Sequence, residues 1–372
     1  MRKKGNPQVK IAEVRFGTRV IKEVAGIISS GSLTNASHDG GARVRSLEKR
    51  IATRVGVKHA ICVNSGTSAL LASLIAMGIG RGNEVAVPSL TFQASANAVV
   101  MAGSKPVFID IDEESYTMDP RDLERKITEK TKAVIPVHLY GYPADMKGVK
   151  EVADRHQLRI LEDASQSLGS SFDGLQTGSI GDMGCFSFYG SKVLSCGEGG
   201  AITTNDPLLG ERTRMIRNHG LSKKSTFEQI GLNLRMPEVE ACLAADQLSK
   251  LDGFLTKRRA NAGILSSTLR GVKGIKTPEE KKTRKHNWYL YTIRTGSNRD
   301  RLLTRLRQAG IDARVFYDPP IHLTPAYKRL GGSEKLRATE RVSREVISLP
   351  VHQHLSRGNI ALMSAVLTKE QS

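Results

Sequence analysis

Lys192 closes the segment Ser187-Phe-Tyr-Gly-Ser-Lys192 and is followed shortly by Gly197-Glu-Gly-Gly200. A lysine amine must shed its proton before it attacks a carbonyl, and small neighbours let a flat electrophile approach it closely. A serine-lysine pair in a glycine-rich stretch is also a common turn, so this pattern alone leaves both readings open. Three more segments offer such an amine company. Asn64-Ser-Gly-Thr-Ser-Ala-Leu70 sets backbone N–H groups and hydroxyls where a helix should begin, an arrangement that cradles a phosphate or simply caps the helix. Leu161-Glu-Asp-Ala-Ser-Gln-Ser167 carries Glu162, Asp163 and Gln166 at the end of an apolar run. An ionised Asp163 would keep a ring nitrogen protonated beside it, so that the ring accepts electrons; standing alone it reads as a helix cap. Pro88-Ser-Leu-Thr-Phe-Gln93 adds Phe92, a ring suited to stacking on a flat heterocycle or to an ordinary core. No phosphate loop of the G-x-x-x-x-G-K-[ST] form occurs, and Gly78-Ile-Gly80-Arg-Gly82 reads as a turn.

The elements that must hold these residues follow from periodicity. Short β-branched or apolar runs at 59–63, 84–87, 106–111, 133–137, 159–161, 185–188 and 201–204 alternate with amphipathic stretches, which predicts an α/β domain with a mainly parallel sheet. Leu70, Leu74 and Met77 recur at helical spacing, so 66–77 should be a helix whose N-terminus faces a ligand position. In open α/β sheets ligands sit beyond the carboxyl ends of the strands, where Asp163 falls. The stretch 237–269 reads as one or two helices leading from the large domain into a smaller one. Beyond it, 286–294 and 313–317 read as strands and 300–308 and 336–346 as helices, giving a small α+β C-terminal domain. The division expected is 1–250 and 251–372.

The whole chain has 372 residues, 39% of them hydrophobic and 25% charged, enough to bury a sizeable core and too apolar for extensive disorder. Cys62, Cys185, Cys196 and Cys242 stand far apart and in no zinc-ligand spacing, so they read as reduced structural thiols and no metal site is expected. His352 and His354 form an H-x-H pair without a third ligand nearby. No apolar run approaches the roughly 18 residues that span a bilayer, and the basic start lacks the apolar stretch of a signal peptide; a cytoplasmic protein without membrane insertion is expected. The net charge of +19 permits attraction to anions. Basic clusters such as Lys281-Lys-Thr-Arg-Lys285 are short and read as solvated loops, so no nucleic-acid partner is expected.

Seven segments, at 64–70, 88–97, 136–141, 162–167, 186–200, 217–220 and 231–236, resemble in this order the DegT/StrS-type sugar aminotransferases. Phe316-Tyr-Asp-Pro-Pro-Ile-His322 and Ser348-Leu-Pro-Val-His352 extend the likeness towards the end of the chain. The resemblance implies the type I fold of the aspartate aminotransferases and pyridoxal 5'-phosphate as cofactor. Residue by residue, it implies that Lys192 carries the cofactor as a Schiff base and shuttles the proton, and that Asp163 holds the pyridine nitrogen. Gln166 would contact the phenolic oxygen, Phe92 would stack on the ring, and Gly66, Thr67 and Ser187 would bind the phosphate. Asn233 and Arg235 would reach the phosphate region of a neighbouring subunit, which makes a homodimer with shared active sites. The implied reaction moves an amino group from glutamate onto a nucleotide-linked 3-keto or 4-keto deoxyhexose, with His219 and His322 as candidates for holding that substrate.

Gly190, Val193, Leu232 and Leu234 depart from the usual family pattern of proline, asparagine and two aromatic residues, which puts the identity of the sugar in doubt while leaving the cofactor set intact. Two alternatives accompany the main reading. An aminoshikimate-type synthase keeps the lysine, whereas the sugar dehydratases of the superfamily carry histidine there and conflict with Lys192. A regulatory protein of the same fold without activity would have no need of the lysine, aspartate and glutamine together.

Overall fold

The computed structural model describes residues 8–331 and 334–369. Its first nine strands are β1 (His59–Val63), β2 (Glu84–Pro88), β3 (Lys105–Ile109), β4 (Thr131–Val134), β5 (Arg159–Asp163), β6 (Ser171–Phe172), β7 (Leu175–Gln176), β8 (Met183–Ser187) and β9 (Gly200–Thr204). Seven of these form one sheet in the order β1-β9-β8-β5-β4-β2-β3. Neighbours are parallel throughout except where β9 meets β1 and β8. All seven expected central runs are therefore strands of this sheet.

Both faces of the sheet are covered, which is why its strands read as near-continuous apolar runs instead of alternating ones. Successive side chains point to opposite faces. Val85 and Val87, Ala133 and Ile135, and Leu161 enter one core with Leu70 and Leu74 of the helix Gly66–Ala76. Ala86, Val134 and Ile160 enter another, against Val149 and Val152 of the helix Met146–His156. At the carboxyl ends of the parallel strands, β5 finishes on Asp163, β8 on Ser187, and β1 runs directly into the helix Gly66–Ala76. None of the described helices is long and apolar enough to cross a membrane.

After Pro237 come two helices, Glu238–Ser249 and Leu251–Leu269, meeting at Lys250. A further core gathers Leu265 and Leu269 with β11 (Tyr291–Arg294), β12 (Val346–Leu349) and the helices Arg299–Gln308 and Arg357–Thr368. Strands β11 and β12 pair antiparallel, while β10 (Arg284–Lys285) joins β6 and β7.

Three expectations for this part of the chain are corrected. The strand expected over 286–294 starts only at Tyr291. Ahead of it, His286 Nδ1 and Asn287 Oδ1 accept the main-chain N–H groups of Trp288 and Tyr289, and such local bonds displace a ladder. The strand expected over 313–317 reduces to a single bridge between Arg314 and Ser348. Within the cluster expected to be solvated, Lys281, Lys282 and Lys285 are exposed, but Arg284 is buried over the Phe172 and Tyr142 rings and paired with Asp145 at 3.3 Å.

Candidate active site

One cavity of about 800 Å³ opens at the carboxyl ends of β5 and β8. Gly66, Thr67, Phe92, Asp163, Gln166, Ser187 and Lys192 all line it. Four separate stretches of sequence thus contribute to one wall system, each from the end of a strand or the start of a helix.

Ser65 caps the helix Gly66–Ala76 by accepting the Ser68 N–H on its hydroxyl at 3.1 Å. The first N–H groups of a helix, here those of Gly66 and Thr67, have no intrahelical carbonyl to bond, and the helix dipole adds partial positive charge at the same place. A Cβ on Gly66 would stand 2.7 Å from Ser187 Cβ and 3.3 Å from Ser165 Oγ. The glycine therefore lets the helix start press against the end of β8, leaving its N–H groups and the Ser187 hydroxyl around a space that suits a phosphate.

Asp163 is 5% exposed. Its carboxylate accepts the Ser95 hydroxyl at 2.7 Å and the Ser165 N–H at 3.1 Å, and it forms no ion pair among the described residues. A buried carboxylate is costly without a cationic partner, and a protonated ring nitrogen in the cavity would supply one. Gln166 Oε1 accepts the Tyr140 N–H at 2.8 Å, which fixes the flip of the amide and leaves its NH2 as a donor. The Lys192 ammonium stands 4.8 Å above the centre of the Tyr289 ring. Phe92 remains 55% exposed, its ring 6.0 Å from that of Tyr317. A cradle of donors, an uncompensated acid, an amine and a free aromatic face together fit a flat, phosphorylated, cationic ring.

The remaining candidates lie elsewhere. Asn233 and Arg235 line a second, smaller cavity of about 300 Å³ with Thr34, Asn64 and Glu240; Glu198 lines both cavities. Arg235 donates to Asn218 Oδ1 at 2.7 Å. His219 is exposed on the hairpin closed by the bridge between Asn218 and Asn233, outside either lining. His322 does not reach the cavity at all: its side chain is fully buried, with Nδ1 2.7 Å from Ser89 Oγ and Nε2 3.6 Å from Glu340. Burial holds its imidazole below the ordinary range. Within this chain it is a packing and hydrogen-bonding residue and has no access to a substrate in the cavity. His352 of the H-x-H pair is likewise engaged, with Nε2 3.1 Å from the Lys10 carbonyl.

Several lining residues carried no usable signal in the sequence. Lys10, Ile11 and Ala12 enter the cavity because the Ile11 N–H donates to Asp312 Oδ2 at 3.3 Å. Although burial opposes it, the Arg314 guanidinium and that N–H hold the Asp312 carboxyl below its usual range. Tyr289, Phe316 and Tyr317 complete the opposite side.

Comparison with known proteins agrees with this arrangement. Residues 17–367 match the family described as the DegT/DnrJ/EryC1/StrS aminotransferase family. The chain is 38% identical over 334 residues to a GDP-perosamine synthase of Caulobacter vibrioides, covering 88% of this chain and 90% of the relative. It is 42% identical over 319 residues to the dTDP-3-amino-3,4,6-trideoxy-alpha-D-glucose transaminase of Streptomyces venezuelae, covering 85% and 84%. The X-ray structure of S. venezuelae DesV in complex with a ketimine intermediate superposes with a TM-score of 0.90 at 38% identity, covering 95% of each chain. With its fold and the breadth of these matches, this chain belongs to the DegT/DnrJ/EryC1/StrS aminotransferase family and is an aminotransferase.

Proposed function

We propose that this chain uses pyridoxal 5'-phosphate to move an amino group from glutamate onto the keto carbon of a nucleotide-linked deoxysugar, in amino-sugar or surface-glycan biosynthesis. The observation that carries the reading is the convergence of Lys192, Asp163, Gln166, Gly66 and Ser187 on one cavity. When bound, the cofactor supplies an electron-accepting ring that stabilises charge left on the substrate carbon. Lys192 would hold the cofactor through its Nζ and, once released, would move the proton at that nitrogen. Asp163 would keep a proton on the ring nitrogen, the Gln166 amide would donate to the phenolic oxygen, and Phe92 would cover one face. Gly66 and Thr67 N–H groups with the Ser187 hydroxyl would bind the phosphate.

Asn233 and Arg235 would serve the corresponding site of a second subunit, so the working unit is a homodimer with shared active sites. Their position outside the main cavity supports this, as do Phe227 and Ile230, which are 74% and 93% exposed on the same hairpin. Large exposed apolar side chains of this kind mark contact surfaces. The four buried free thiols support a reducing, cytoplasmic setting. The break at Lys250 supports a division into a large domain, 1–250, and a small one, 251–372.

The relatives named above carry different nucleotides, so the sugar is the open part of the substrate. The test is direct. Protein incubated with pyridoxal phosphate should turn yellow, and Lys192→Ala should abolish that absorbance. Protein loaded with pyridoxamine phosphate should regain the colour with the correct member of a panel of GDP-, dTDP- and UDP-linked keto-sugars. A wild-type protein that stays colourless overturns the cofactor; one that turns yellow and responds to no keto-sugar overturns the substrate class.

A further inference from the structure

Tyr140 lies in the turn Leu139–Gly141 that follows β4, and it is 3% exposed. It does not line the cavity, yet each of its polar groups holds a segment that does. Its N–H donates to Gln166 Oε1 at 2.8 Å. Its carbonyl accepts the Leu290 N–H at 3.2 Å. Its phenol donates to the Phe316 carbonyl. Gln166 and Tyr317, which follows Phe316 directly, line the same cavity, so Tyr140 ties two of its walls together through its own bonds. Gln166 sits at the end reserved for the cofactor; Leu290, Phe316 and Tyr317 form the facing wall.

The turn itself is held firmly. Tyr140 takes a left-handed backbone with φ of 59°, and Gly141 follows with φ of 94°. A Cβ on Gly141 would fall 1.8 Å from Asn287 Oδ1, so only glycine lets the two segments meet there. The Gly141 carbonyl also accepts the Ser170 hydroxyl at 2.7 Å. Burial pushes the Tyr140 phenol well above its ordinary range, which keeps it a donor at every working pH.

We propose that Tyr140 is a positioning residue that fixes the distance between the cofactor end of the cavity and the wall facing the incoming substrate. Its backbone serves Gln166 and its phenol serves Phe316-Tyr317, so the two halves are separable by substitution. The inference rests on reading this cavity as the cofactor site. Tyr140→Phe keeps the ring and the N–H and removes only the bond to Phe316, whereas Tyr317→Phe leaves that bond in place and takes a hydroxyl from the cavity lining.

The experiment compares wild type, Tyr140→Phe and Tyr317→Phe by amide hydrogen exchange and by a pH titration of bound pyridoxal phosphate absorbance. Tyr140→Phe should accelerate exchange in the 314–318 segment about tenfold, through easier local opening, and leave the absorbance titration where it is. Tyr317→Phe should do the converse, displacing the titration midpoint by about half a unit with exchange unchanged. A Tyr140→Phe protein whose 314–318 amides exchange at the wild-type rate overturns the proposal, and so does one whose titration moves as far as that of Tyr317→Phe. A wild type that never takes up the cofactor overturns the site reading instead, and the exchange comparison in unloaded protein then still decides whether Tyr140 anchors the wall.

Discussion

Gly66→Ala is the substitution whose consequences the geometry constrains most tightly. Gly66 opens the helix Gly66–Ala76 in a conformation that alanine adopts readily, and alanine is favoured over glycine inside helices by up to about 1 kcal/mol. Against that gain, the new methyl would stand 2.7 Å from Ser187 Cβ. That atom is fixed to the backbone of β8 and cannot rotate aside, unlike the Ser187 and Ser165 hydroxyls at 3.2 and 3.3 Å. Overpacking of this kind costs about 1–3 kcal/mol, so the unloaded protein should lose about 0–2 kcal/mol. The methyl would also crowd the Ser187 hydroxyl, 3.2 Å away, which belongs to the proposed phosphate cradle. Losing one hydrogen bond to a charged group costs about 1.5–3 kcal/mol, equivalent to a rise in Kd of about ten- to a hundredfold. Absorbance titration of unloaded protein with pyridoxal phosphate gives the affinity, and urea unfolding gives the stability. Gly190→Ala is the control: Gly190 lines the same cavity, but a Cβ there meets nothing within 4 Å, so its affinity should stay within about twofold of wild type. Equal cofactor affinity in Gly66→Ala and wild type, or an equal loss in Gly190→Ala, would refute the cradle.

Asp163→Asn should separate activity from stability, because the amide removes a buried charge whose hydrogen-bond partners among the described residues are Ser95 and Ser165. Turnover should fall by about a hundred- to a thousandfold, while unloaded protein keeps its stability or gains about 1–2 kcal/mol in urea unfolding; a destabilised variant would count against an uncompensated carboxylate. Burial pushes His286 down to about 3 and His352 to about 4, from an ordinary 6.5. With folded values below the unfolded one, their contribution is intact above about pH 6.5 and is lost as pH falls, since only the unfolded chain then takes up the proton. At pH 5 the two together should cost about 2–4 kcal/mol relative to pH 7.5, read as a lower urea midpoint, and His286→Gln should flatten part of that slope. His322→Ala should cost about 2–4 kcal/mol, visible as a lower melting temperature, by emptying a packed site and stranding Ser89. Its cofactor affinity should stay within about twofold of wild type, and a selective loss of substrate or cofactor binding would restore His322 to the site.

The parts of the molecule visible in the sequence are those fixed by short-range pattern. A parallel strand covered on both faces is a run of apolar residues, and all seven runs became strands; the run 106–111 stops at Ile109, where the Asp110 carboxylate accepts the Ile111 N–H at 2.9 Å. The stretch 286–290 is equally apolar in part, but His286 and Asn287 bond their own main chain and the ladder starts later. The cavity residues at strand ends were readable for the same reason: Asp163 and Ser187 close β5 and β8, and glycine, serine and threonine mark the helix start. What was not readable depends on distant partners. Lys10 enters the cavity through a bond between residues 301 positions apart, Ile11 and Asp312, and His322 is withdrawn from it by Ser89, 233 positions away.

Aromatic residues show most clearly why type and spacing stop short. In sequence Phe92 reads as a stacking ring or an ordinary core residue while Tyr140, Tyr289 and Tyr317 carry no role of their own, and the four diverge only through what their polar or open faces meet. Phe92 keeps an exposed face towards the cavity, Tyr289 lies under the Lys192 amine, and the Tyr317 ring stands 6.0 Å from that of Phe92. Tyr140, 3% exposed, is the most deeply buried of the four, and its donors and acceptor reach three cavity-lining segments at once. A buried phenol with every polar group engaged cannot shift without stranding at least one partner, and an unpaired buried group costs about 1–3 kcal/mol. The relative placement of the cofactor end and the facing wall is therefore set by polar contacts inside the fold, and the apolar packing that the sequence advertises would not by itself determine it.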